Sequence, residues 1–129
     1  MVMENSYALI TGASSGIGLE IAKDLAGRGY NLILTARRTE LLESISKEIS
    51  EANNVNVDLI SKDLSNYDAP REIFEFCESK NYKVDILINN AGYGIKTSFH
   101  QTSIEDEEAF IRVLGTSVIM LTKLFIPKM

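Results

Sequence analysis

The chain has 129 residues, which fits one domain, 1–129, able to bury a core without disulfides or metals. Hydrophobic residues make up 45% and charged residues 24%, with no low-complexity tract, so a disordered or fibrous chain is excluded. A net charge of −5 argues against a nucleic-acid partner, and a single cysteine, Cys77, excludes an internal disulfide and points to a reducing, cytoplasmic compartment.

The N-terminal MVMENSYALI has no basic segment ahead of its short apolar run and does not read as a signal peptide. The first strand is expected at Tyr7–Thr11. Next, IGLEIAKDLAGRG sets Ile17, Ile21 and Leu25 at steps of four and ends in Gly27 and Gly29, a helix with its stop signals. Asn31–Ala36 is a second strand. In TELLESISKEISEAN, Leu41, Leu42, Ile45 and Ile49 share one helical face, and Glu43 and Lys47 form an i,i+4 pair on the other. Val55–Ile60 is a third strand. A third helix, DAPREIFEFCESKN, opens with Asp68 as cap and Pro70 in its first turn. Val84–Asn90 is a fourth strand, followed by an irregular loop from Gly92 to Thr102. A last helix begins near TSIEDEEAF, where Ser103 and Asp106 make a capping box. Its apolar stretch, Ala109–Ile126, is broken by Arg112 and Lys123, so it falls short of an uninterrupted span and no membrane partner is expected.

Strands alternating with helices, and continuous apolar runs such as LIL, predict an α/β fold with a doubly wound parallel sheet buried on both faces. The order expected is 3-2-1-4 with four helices.

The stretch TGASSGIG, Thr11–Gly18, joins the first strand to the first helix. Its glycines, Gly12, Gly16 and Gly18, let the backbone turn sharply and approach a ligand closely. Free N–H groups at a helix start favour an anion, and Ser14 and Ser15 add hydroxyl donors around Ile17. The spacing G-x-x-x-G-x-G lacks G-K-[ST], so a nucleoside triphosphatase loop is excluded. Taken alone, the motif is also compatible with a plain strand-to-helix turn.

TGASSGIG after the first strand, Asp63–Leu64–Ser65 after the third and Asn89–Asn90–Ala91–Gly92 after the fourth together resemble the short-chain dehydrogenase/reductase family. The likeness runs from about Tyr7 to the chain end. It implies a Rossmann-like fold in which the first motif holds the cofactor's pyrophosphate. It further implies that Asp63 bonds the adenine and that Asn89, Asn90, Ala91 and Gly92 support the central strand along the cofactor. By residue type alone, Asp63 is equally a turn former, and the asparagines equally close a strand end.

The second strand ends in TARR. Dinucleotide folds place an acid there for the ribose 2′-hydroxyl, or an Arg for a 2′-phosphate. Ala36 stands where the acid would be, followed by Arg37 and Arg38, so NADP(H) is expected over NAD(H).

The family's chemistry is implied to need a serine, a tyrosine with a lysine four residues on, and an asparagine. The tyrosines are Tyr7, Tyr30, Tyr67, Tyr82 and Tyr93, and none has a lysine at that spacing. The asparagine position falls on Leu114, or on Gly115 with a slip of one, and neither joins a proton relay. No catalytic residue is therefore assigned. The chain reads as the cofactor-binding half of a short-chain oxidoreductase, a truncated or split product lacking the C-terminal half.

A non-catalytic nucleotide-binding or sensing module is the alternative, and an interaction protein with a vestigial cradle is a third. A carbonyl or alcohol substrate is implied only for a completed chain. His100, as a lone histidine, and the acidic run Glu105–Glu108, as a helix first turn, give no metal site. Cys77 reads as a small core residue beside Ile73 and Phe74. The apolar last helix and an edge strand predict self-association.

Overall fold

The computed structural model describes residues 5–129, so the first four residues of the N-terminal stretch lie outside it. Strands β1 (Ser6–Thr11), β2 (Asn31–Ala36), β3 (Val57–Ser61) and β4 (Lys83–Ile88) form one parallel sheet in the order β3-β2-β1-β4. Helices α1 (Gly16–Gly27), α2 (Thr39–Asn53) and α3 (Ala69–Ser79) connect them. A fourth helix runs over Ile104–Lys128, made of α4 (Ile104–Ile111), a π-helical turn at Arg112–Thr116, α5 (Ser117–Phe125) and a closing 3-10 turn. The expected doubly wound order is present.

Successive strand residues feed opposite faces, and both are covered. Ala8, Ile10, Leu32 and Leu34 pack under α1 and α2 with Ala22, Leu42 and Ile49. Tyr7, Leu9 and Ile33 pack under α3 and α5 with Ile73, Cys77, Leu121 and Phe125. Cys77 is thus the core residue its neighbours suggested.

Several local expectations are corrected. On α1 the buried face is Gly18, Ala22 and Ala26, while Ile17 is 73% exposed. Small residues let α1 lie close on the sheet, which turns the larger Ile17 outward. Leu41 likewise faces solvent although Leu42 and Ile49 are buried. Among the described residues, Glu43 and Lys47 form no ion pair. Asp68 precedes α3 but makes no capping hydrogen bond, its backbone already being helical. β3 starts two residues late, because Asn54 closes α2 in a left-handed conformation and Asn56 N–H donates to Asn31 Oδ1 at 3.0 Å. β4 stops at Ile88, which leaves both asparagines beyond the strand.

The Ser103–Asp106 capping box forms as expected, with 3.0 Å and 3.1 Å bonds. The fourth helix as a whole is long and apolar enough to cross a membrane by length and composition, contrary to the expectation from Arg112 and Lys123. Two charges in a stretch of that length still leave it apolar enough by composition. It nonetheless lays Val113, Ser117, Leu121 and Phe125 against the core.

Candidate functional site

At the C-terminal ends of the strands, the turn after β1, the start of α2, the segment after β3 and the segment after β4 enclose a cleft of about 490 Å³. Such crevices at the strand ends are where open α/β sheets bind ligands.

The floor is built by a lock between β1 and β4. Asn90 N–H and Ala91 N–H both donate to Thr11 Oγ1, at 3.0 and 2.9 Å. Asn90 Nδ2 in turn donates to Thr11 O at 3.2 Å and Gly12 O at 3.1 Å. From the other side, Gly12 N–H and Ala13 N–H donate to Thr35 O, at 2.9 and 3.3 Å, tying the turn to β2. Gly12 adopts a φ of +65°, open to glycine without strain.

Gly18 is required for a different reason. A Cβ there would lie 2.4 Å from Asn90 Nδ2 and 2.5 Å from Gly12 O, so only a hydrogen fits between α1 and the lock. The N-terminus of α1 therefore comes close against the strand ends. Ser15 holds its N-cap position without a side-chain capping bond, leaving first-turn N–H groups for an anion.

Of the residues singled out in the sequence, Gly12, Ser14, Ser15, Ile17, Arg37, Arg38, Asp63, Leu64, Asn90, Ala91 and Gly92 line this cleft. Three do not. Gly16 lines a separate groove along α1, with Ile21, Leu25 and Ile88 of β4. Gly18 is buried beneath the turn. Asn89 points away and donates from Nδ2 to Thr122 Oγ1 on α5, at 3.3 Å.

Asp63 Oδ1 accepts from Ser65 N–H at 2.9 Å, so it is a turn former and a cleft residue at once. Arg37 and Arg38 are exposed on the rim and make no ion pair among the described residues. Lys62 also lines the cleft, its ammonium 3.0 Å from Glu72.

Sequence reasoning missed Thr35, Lys62, Tyr93, Ala109 and Val113 as cleft residues, and Thr11 as the hub of the lock. The position of Thr11, one residue before the first glycine, was the available signal for the last. No comparable signal marks Ala109 or Val113, which reach the cleft only because the fourth helix packs beside β4.

Leu114 sits in the π-helical turn and presses on Gly92, where an added Cβ would be 2.8 Å from Leu114 Cδ2. Short π segments recur at functional positions in helices. Here the turn carries Leu114 and Gly115, neither with a group able to carry a proton. Among the described residues no cluster of His, Cys, Asp and Glu could hold a metal ion.

The sequence model of the short chain dehydrogenase family matches residues 6–129. The chain belongs to this family. The short-chain dehydrogenase chain is 35% identical to the very-long-chain 3-oxoacyl-CoA reductase of Kluyveromyces lactis, covering 98% of itself and 37% of that protein. It is 30% identical to an uncharacterized oxidoreductase of Staphylococcus saprophyticus, covering 98% of itself and 54% of the other. It therefore spans about a third to a half of the length of these relatives. In structure it resembles the L-sorbose reductase of Gluconobacter frateurii complexed with NADPH and L-sorbose, with a TM-score of 0.89 and 29% identity over 100% of this chain and 49% of that one. A metagenomic short-chain oxidoreductase in complex with NADP gives a TM-score of 0.89 and 32% identity over 98% and 57% of the two chains.

Proposed function

We propose that this short-chain dehydrogenase chain binds NADP(H) in the cleft and is the cofactor-holding portion of an oxidoreductase acting on a carbonyl or alcohol. The observation that carries this is the close approach of α1 to the lock, where Gly18 leaves no room for a Cβ and the uncapped helix start faces the cleft. A dinucleotide fits these residues. Ser14, Ser15 and the α1 N-terminus would hold its pyrophosphate, Asp63 and Leu64 its adenine, and Asn90, Ala91 and Gly92 its far end. Arg37 and Arg38 would read the 2′-phosphate; Ala36 offers no carboxylate to repel it. When bound, the nicotinamide supplies a hydride donor or acceptor.

The chain's own residues position and orient; none of its tyrosines has a lysine four residues on. We therefore propose that the 129 residues alone bind but do not turn over. Leu114 favours a second reading, a non-catalytic nucleotide-binding or sensing module, because an apolar side chain occupies the relay position beside Gly92. Restoring turnover by adding a family-like C-terminal half supports the first reading; a completed chain that binds cofactor and still does not turn over supports the second. The proposal also includes self-association of two copies through the exposed side of the fourth helix.

The decisive test is calorimetric titration of the purified chain with NADP+ and NAD+, repeated on Arg37→Glu. The wild-type chain is expected to prefer NADP+ by about ten- to a hundredfold, the worth of one charged hydrogen bond. Arg37→Glu should reverse the preference. Binding that does not discriminate, or a variant that keeps it, removes the 2′-phosphate assignment.

A further inference from the structure

Only Arg37 and Arg38 link β2 to α2, since β2 ends at Ala36 and α2 begins at Thr39. Arg38 is the N-cap of α2, in extended conformation with no side-chain capping bond. A two-residue link with both side chains in solvent has little of its own to hold it. Its anchor comes from the neighbouring strand. Parallel pairing sets Ser61 beside Ala36, and at that register Ser61 Oγ donates to Arg37 O at 3.1 Å. The next residue, Lys62, donates its N–H to Ala36 O at 3.2 Å. The carbonyls of Ala36 and Arg37, one on each side of the first link residue, are thus held by Lys62, just past β3, and by Ser61, the last residue of β3.

Fixing those carbonyls fixes the peptide planes on both sides of Arg37, and with them the direction of its Cα–Cβ bond. A guanidinium already aimed at its anion loses less freedom on binding than one on a loose link. The backbone bond from Lys62 survives any substitution other than proline. The hydroxyl bond depends on the residue type at position 61, where alanine or valine would make none.

We infer that Ser61 is a positioning residue for 2′-phosphate recognition, acting through the Arg37 carbonyl and touching no cofactor itself. This rests on the reading that Arg37 faces the 2′-phosphate. It gives Ser61 a role in cofactor choice rather than in cofactor affinity as a whole.

The test is titration of NADP+ and NAD+ into the purified 129-residue chain and into Ser61→Ala, Ser61→Thr, Arg37→Ala and the Ser61→Ala/Arg37→Ala double variant. Ser61→Ala should weaken NADP+ about three- to tenfold, the loss of one hydrogen bond, and leave NAD+ unchanged. Ser61→Thr keeps a hydroxyl and should restore the wild-type ratio. In the double variant, Ser61→Ala should add nothing to Arg37→Ala. Equal weakening of both cofactors by Ser61→Ala would mean general support of the fold and overturn the inference. So would an unchanged NADP+/NAD+ ratio in Ser61→Ala while Arg37→Ala loses the preference, which leaves the reading of Arg37 standing. A wild-type chain without NADP+ preference, or Arg37→Ala retaining it, fails the reading itself, and the role of Ser61 falls with it.

Discussion

Thr11 and Asn90, 79 positions apart, hold each other by both main chain and side chain: Asn90 N–H donates to Thr11 Oγ1, and Asn90 Nδ2 donates to Thr11 O. This reciprocal bond joins β1 to the segment after β4 and sets the cleft floor. A second threonine, Thr35, is as deeply buried, at 1% exposure each, yet its hydroxyl has no partner among the described residues. The pair makes an internal control. Thr11→Val would leave two N–H groups without an acceptor and should cost about 1–3 kcal/mol. Thr35→Val removes an unsatisfied hydroxyl and should be neutral or stabilising by up to about 1 kcal/mol. Urea denaturation of the two variants measures both. Equal losses would mean that Thr35 has a partner after all.

Two glycines should respond oppositely to alanine. At Gly18 the new Cβ meets Asn90 Nδ2 and Gly12 O, both fixed by the lock. Overpacking of that kind costs about 1–3 kcal/mol, and dinucleotide binding should vanish with the close approach. At Gly115 a Cβ meets nothing within 4 Å, and the helix should gain up to about 0.5–1 kcal/mol. Thermal melts and titrations on the two variants check this. Retained binding in Gly18→Ala would disconnect that glycine from the site.

Alkaline pH should weaken the fold through Cys77 and Tyr82. Burial pushes the Cys77 thiol up to about 12, with Asp58 and Glu78 adding to it. Burial also raises Tyr82 above its ordinary value of 10.0, helped by the 2.6 Å bond its hydroxyl donates to Asp58 Oδ2. Both groups are favoured neutral when folded, so the unfolded chain loses its protons first. Their contribution is complete below about pH 9 and is lost as pH rises toward the folded values. Cys77 steepens the fall by up to about 1.4 kcal/mol per pH unit, and Tyr82, nearer to solvent, by less. Cys77→Ala should be less stable near neutral pH yet lose less between about pH 9 and 11. Parallel losses in the two proteins would take Cys77 out of the explanation.

The self-association proposal has a specific surface. Ile104, Ile111, Ile119 and Ile126 on the fourth helix are 58–73% exposed. Their spacings are 7, 8 and 7 (111 − 104, 119 − 111, 126 − 119), and the 8 spans the π-helical turn. An α-helix returns to the same face after seven residues, and the wider π turn absorbs the extra one. The four therefore line one stripe opposite Val113, Ser117, Leu121 and Phe125. Sedimentation at tens of micromolar (the order expected of a weak dimer) should find dimers that Ile111→Glu/Ile119→Glu converts to monomers. A wild-type monomer at that concentration, or a dimer indifferent to the substitutions, counts against the stripe.

The sequence alone determined the order of strands and helices, the parallel sheet buried on both faces, the capping box at Ser103 and the three motifs that mark the family. Each rests on local pattern: period, turn chemistry, or residues a few positions apart. The tertiary structure decided which faces those patterns bury. It turned Ile17 outward, because small residues let α1 lie nearer the sheet than the spacing of large apolar residues implies, and on α2 it buried Leu42 and Ile49 rather than Leu41. It sent Asn89 to Thr122 and Asn90 to Thr11, although the two are adjacent and chemically identical, because side chains leaving a strand end alternate between faces. It also brought Ser61 to Arg37, across 24 residues, through a strand register that no local window contains.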